Sequence, residues 1–200
     1  MIVPGQKSEV AWGDGNWIFL DIGFSCESRS CGFAFGEETP KSITFANAIS
    51  AVIDRVQTSE RSTRLVVEAP LSVCFDRLGN PKGRRIERQD SGTRYWYVGA
   101  GCVVMTAALY LIRAIYGAGV RRDVLLYEGF HSFKKRANRS NHSQDVNDLR
   151  RIVQAPQTVQ HRVFDENDLR SDHDDQIQSA FHVADIDCGI PAVLALGSFR

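Results

Sequence analysis

Two hydrophobic rhythms run along the chain, one of period two and one near 3.6. Trp17-Ile-Phe-Leu-Asp21-Ile-Gly-Phe24 is an apolar run broken by a single acid, the pattern of a central strand buried on both faces. Cys31-Gly-Phe-Ala-Phe-Gly36 predicts a second strand, paired with the first through the turn at Ser25–Ser30. Ile43 and Phe45 alternate with polar neighbours and predict a third, edge strand. Ile49, Val52, Ile53 and Val56 then fall at helical spacing and form one stripe. Leu65-Val-Val-Glu68 predicts a fourth strand, ended by Pro70. Residues 76–94 are rich in Gly, Pro and Arg without periodicity and read as a long exposed loop.

Beyond that loop, Val98 to Tyr116 predicts a buried helix with Gly117 and Gly119 as its stop. Val124-Leu-Leu-Tyr-Glu128 predicts a fifth strand. Ser143 to Val153 predicts an amphipathic helix, with Val146, Leu149 and Val153 on one side and Pro156 past its end. A final helix is expected from Ser171, carrying Ile177, Ala180, Phe181 and Ala184, and a last short strand over Ala192 to Leu196. Three opening strands followed by alternating helices and strands give an α/β fold with an antiparallel start. The expected architecture is RNase H-like: a mixed five-stranded sheet, first a meander and then parallel strands, flanked by helices.

Length and composition narrow this further. The chain has 200 residues, 43% hydrophobic and 24% charged. Those values exclude a disordered chain or a disulfide mini-protein and suit one domain, expected over residues 17–200, with residues 1–16 as an N-terminal extension. A two-lobed ATPase needs more chain. Five cysteines without a C-x-x-C pair fit a reducing compartment, and neither a signal-peptide core nor a bilayer-length apolar run is read, so a soluble cytoplasmic protein is expected. Net charge is zero, yet unevenly spread. Arg77–Arg94 and Arg121–Arg139 each hold six basic residues against two acids, whereas Asp165–Asp187 holds eight acids against one Arg. Such a split suggests a polyanion partner and a cation site on one molecule.

The most informative residues are acids in expensive places. Asp21 sits inside an apolar strand, where a carboxylate costs several kcal/mol unless paired or metal-bound. Glu68 ends an apolar run at the C-terminal tip of its strand, the edge at which open α/β sheets bind ligands. Glu128 repeats the pattern on the fifth strand, and Asp172 and Asp175 are i and i+3 at the expected start of the last helix. Singly, each has a structural explanation: a buried Arg partner, solvent, or helix-start capping by Ser171 and Asp174. Together they point to a metal site of Asp21, Glu68, Glu128 and Asp175. Oxygen ligands without a His/Cys cluster suit Mg²⁺ or Mn²⁺. Two such ions about 4 Å apart hydrolyse phosphodiesters.

Four segments carry a resemblance. Phe19-Leu-Asp-Ile-Gly23, Val66-Val-Glu-Ala-Pro-Leu71, Leu126-Tyr-Glu128 and Asp172-His-Asp-Asp-Gln-Ile-Gln-Ser-Ala180 resemble the motifs of the predicted RNase H-like nucleases, a widespread bacterial and archaeal family. The last segment is also similar to the D-x-x-D helix start of RuvC-type resolvases. What the resemblance implies is divalent-metal phosphodiester hydrolysis, with Asp21, Glu68, Asp172 and Asp175 as catalytic positions.

Arg84, Arg85 and Arg88 follow the Glu68 strand, and Lys134 and Lys135 follow the Glu128 strand, so these five are the expected phosphate contacts. Tyr95, Trp96 and Tyr97 read as core packing sooner than as a base-stacking platform, and His131, His142 and His173 read as isolated. The expected partner is DNA or RNA, with a homodimer left open and no membrane. The competing expectation is a non-catalytic RNase H-like module that binds nucleic acid or protein. A nucleotide-binding phosphotransfer protein fits less well, since no glycine-rich phosphate loop is present.

Overall fold

The computed structural model describes residues 1–23, 30–89, 92–93, 99–131, 141–155 and 162–196. Its core is a mixed sheet of eight strands rather than the expected five. Strand β2 (Asn16–Ile22) lies in the interior of the sheet. On one side it pairs antiparallel with β3 (Cys31–Phe35), which pairs antiparallel with β4 (Lys41–Ile43). On the other side follow β5 (Thr63–Glu68), β10 (Val124–His131) and β13 (Val193–Leu196), all parallel to β2 and to one another. Strand β11 (Val163–Phe164) closes that edge antiparallel to β13.

Alternation along β2 sorts its side chains into two cores, as a strand buried on both faces requires. Ile18, Leu20 and Ile22 pack into the layer that holds Val52 and Val56 of helix α1 (Phe45–Thr58) and Leu111, Ile112 and Ile115 of helix α2 (Gly99–Gly117). Trp17 and Phe19 pack on the opposite face, with Val146, Leu149, Ile152 and Val153 of helix α3 (His142–Gln154). Each of these fully buried side chains contributes roughly 1.5–3 kcal/mol. The result is three layers, with α1 and α2 below the sheet and α3 above it. Helix α2 is long and apolar enough to cross a bilayer by length and composition alone. It buries Leu111, Ile112 and Ile115 in the core and exposes Val103, Tyr110 and Tyr116, so it is not buried all round as its composition suggested.

Three further expectations change. Residues 1–16, expected as an N-terminal extension, pack onto the sheet: β1 (Ile2–Pro4) lies parallel to the first half of β10, and Val10 is buried in the α3-side core. The segment after Pro70 is not simply an open loop. Strand β6 (Ser72–Phe75) pairs with β7 (Pro81–Lys82) and β12 (Gln176–Ser179) in a small second sheet, and β8 (Arg88–Gln89) pairs with β9 (Gly92–Thr93). Finally, no helix starts at Ser171. Gln176-Ile177-Gln178-Ser179 forms β12, because burial there alternates with period two, and a 3₁₀ turn over Ala180–Ala184 accounts for the apparent helical stripe. Asp185 ends that turn in the left-handed region, at φ 54°.

Candidate metal centre

Asp21 and Glu68 are register partners on adjacent parallel strands, at the C-terminal edge of the sheet. Both follow the alternation of the upper face, two residues past Phe19 and Val66 respectively. Strand β10 has Gly129 opposite Glu68 and runs two residues further to His131, which the same alternation turns to that face. Above them begins α3. Asn141 caps it, its side-chain oxygen accepting the Gln144 N–H at 2.8 Å, which makes His142 the first helical residue. His142 and Asp145 are i and i+3, so one turn directs both side chains to the sheet.

The contacts are short. His142 Nδ1 lies 2.5 Å from Asp21 Oδ2, and His131 Nδ1 lies 2.8 Å from Asp145 Oδ1. Asp21 and Asp145 are 4% and 3% exposed. Ligand atoms of Asp21, His142 and Asp145 all lie within 4.8 Å of one another, and those of Glu68, His131 and Asp145 do likewise. The two groups share Asp145. Ligands at about 2.1 Å from a six-coordinate ion stand about 3 Å apart when adjacent and about 4.2 Å when opposite, so each group spans roughly one cation. Burial, with a further push from Asp21, holds the neighbouring Cys31 thiol above its ordinary value, so Cys31 stays protonated.

Glycines let the helix come this close. A Cβ at Gly32, the register partner of Asp21, would stand 2.1 Å from the His142 carbonyl oxygen. One at Gly23 would stand 2.3 Å from the His142 ring, and one at Gly129 would stand 2.9 Å from Leu149. The sequence thus places small residues beside each acid, where α3 descends.

The expected residues divide. Asp21 and Glu68, expected at the sheet's active edge from their places in two strands, are register partners there. Glu128 does not join them, and this is a correction. It stands one residue out of phase with Tyr127, Gly129 and His131, so it faces the α1–α2 side. There it accepts two hydrogen bonds from the Arg84 guanidinium, at 2.8 and 2.7 Å, and one from the Leu71 N–H at 2.8 Å. Arg84 is corrected with it. Its side chain is fully buried between Glu128, Glu87 and Ser72 and cannot meet a substrate phosphate. Burial raises the Glu87 carboxyl above its ordinary value against the opposing pull of Arg84. Arg85 and Arg88 are exposed as expected. Lys134 and Lys135 lie outside the described residues, as do Tyr95, Trp96 and Tyr97.

Asp172 and Asp175 lie just before β12, beside the small sheet. The Lys82 ammonium, from β7, reaches both, at 2.8 and 2.7 Å. Asp175 also accepts the Ser171 and Asp172 N–H groups, each at 3.0 Å. Burial opposes its charge, but Lys82 and these N–H donors prevail and bring its pKa down to about 2. A lysine therefore supplies the positive charge that the Asp172–Asp175 spacing seemed to reserve for a metal. Neither acid belongs to the two carboxylate–imidazole groups found among the described residues.

Sequence reasoning missed His131, His142 and Asp145. The signal was present as His142-x-x-Asp145 at the start of an amphipathic helix whose apolar stripe was recognised, together with a β-alternation that continues past Glu128 to His131. No protein-family model matches the sequence, and comparison with curated proteins and with solved structures likewise finds no match.

Proposed function

We propose that this protein is a divalent-metal-dependent hydrolase of phosphodiester bonds in nucleic acid, on an RNase H-like scaffold. The observation that carries the reading is the pair of ligand groups sharing Asp145 at the C-terminal edge of the parallel strands. The scaffold supports it: an antiparallel β2–β3–β4 meander, then α1, β5, α2, β10 and α3, with β5 and β10 on the far side of β2.

The donor set fits two divalent ions. Asp21 and His142 would hold one, Glu68 and His131 the other, and Asp145 would contact both. Three carboxylates leave one positive charge uncompensated beside a pair of dications, which suits a phosphodiester monoanion. Two ions bound there would activate water and stabilise the leaving oxygen of an in-line displacement that releases a 3′-hydroxyl. Burial of Asp21 and Asp145 and their imidazole contacts fix the ligand positions beforehand, while the half-buried His142 marks the open side. Exposed Arg85 and Arg88 would contact phosphates away from the scissile bond.

The test is a panel of labelled DNA, RNA, hybrid and branched substrates with Mg²⁺, Mn²⁺ or EDTA, using wild type and Asp21→Asn. Metal-dependent cutting that the substitution abolishes is expected. Binding without cutting under every condition supports the non-catalytic module instead.

A further inference from the structure

We infer that the centre at Asp145 selects first-row transition ions, with Mn²⁺ as the probe, over Mg²⁺, and takes two of them. The inference rests on the site proposed above but not on the reaction assigned to it. An all-oxygen set, as the acids alone suggested, would suit Mg²⁺, which prefers oxygen donors in near-ideal octahedral geometry and sheds its waters reluctantly. The structure instead puts one imidazole in each ligand group: His142 with Asp21, and His131 with Glu68. A nitrogen donor strengthens binding along the first-row series and adds little for Mg²⁺.

Two observations show that these imidazoles are built into the centre. His142 comes from the same capped helical turn as Asp145, and Gly32 and Gly23 clear the space for its backbone and ring. His131 Nδ1 is buried 2.8 Å from Asp145 Oδ1, yet that oxygen lies off the line a hydrogen bond requires. A buried imidazole nitrogen without a hydrogen bond, beside a carboxylate, is open to a cation that both could ligate. Two groups with one shared carboxylate suit two ions, and neither group keeps three ligands without Asp145.

Titration of the purified full chain, without substrate, with Mn²⁺ and with Mg²⁺ tests this by calorimetry and electron paramagnetic resonance. Two Mn²⁺ per chain with a spin-coupled spectrum are expected, bound at least about tenfold more tightly than Mg²⁺. The double variant His131→Asp/His142→Asp, with folding checked by circular dichroism, should keep two-ion binding but lose most of that preference. Should the double variant unfold, His142→Asp alone supplies the same readout on one ion. Asp145→Asn should remove the coupled spectrum. Equal affinity for the two metals, a single uncoupled Mn²⁺, or a preference that survives replacement of the imidazoles overturns the inference. Coupled, selective Mn²⁺ binding in a protein that cuts no nucleic acid would leave it standing while refuting the nuclease reading.

Discussion

Arg84 and Glu128 face each other fork to fork, each terminal guanidinium nitrogen donating to one carboxylate oxygen and neither side chain exposed. Glu128 also holds the Leu71 N–H, three residues past Glu68, and it stands three residues before His131. One buried pair thus ties the exits of the two strands that deliver Glu68 and His131. Removing one partner of a buried pair costs about 3–5 kcal/mol, because the other charge stays buried. Arg84→Met, which strands both Glu87 and Glu128, is therefore expected to lower stability by that amount in urea unfolding. Arg85→Ala, on the exposed side of the same turn, should change it by less than about 0.5 kcal/mol.

Among the glycines that let helix α3 reach the acids, Gly32 is the one that meets backbone of that helix. A methyl group there would stand 2.1 Å from the backbone of His142, and backbone cannot swing aside. Gly32→Ala should push the first turn of α3 off the sheet, cost about 1–3 kcal/mol by overpacking, and weaken Mn²⁺ binding. Gly13→Ala, whose Cβ would meet nothing within 4 Å, should leave metal affinity unchanged. Isothermal titration of both variants decides between local clearance and a general intolerance of alanine.

Much of this organisation was legible in the chain. Trp17-Ile-Phe-Leu read as the central strand because both its faces are apolar, and both faces are buried. The α1 stripe and the α3 stripe were equally clear, and so was the placing of Asp21 and Glu68 on two sheet strands, though their register became visible only in the fold. Glu128 misled because the alternation was stopped at the acid: one residue of phase turns a ligand into the partner of a buried arginine. Asp172-x-x-Asp175 misled because its spacing serves a lysine as well as a metal, and Lys82 is ninety residues away in sequence. His142 gave too little signal alone, since its meaning depends on contact with Asp21 across 121 residues.

Lys82 and Asp175 also set a pH dependence. The Asp175 carboxyl lies at about 2 against an ordinary 3.8, so the folded state favours its ionised form. That stabilisation is complete above about pH 4 and is lost as pH falls toward 2. The stability difference between wild type and Asp175→Asn should accordingly be constant near neutrality and shrink below pH 4 in urea titrations. A difference that stays flat to pH 2 would show that Asp175 contributes through packing alone.

The central claim is that metal chemistry gathers at Asp145 and not at the acids beside Lys82. Hydrolysis of a labelled nucleic-acid panel in Mn²⁺ by three folded proteins, wild type, Asp145→Asn and Asp172→Asn/Asp175→Asn, tests it most directly. Asp145→Asn is expected to lose more than about a hundredfold in rate, while the double variant stays within a few-fold of wild type. The opposite ranking, with activity surviving at position 145 and vanishing with the Lys82 acids, would contradict it.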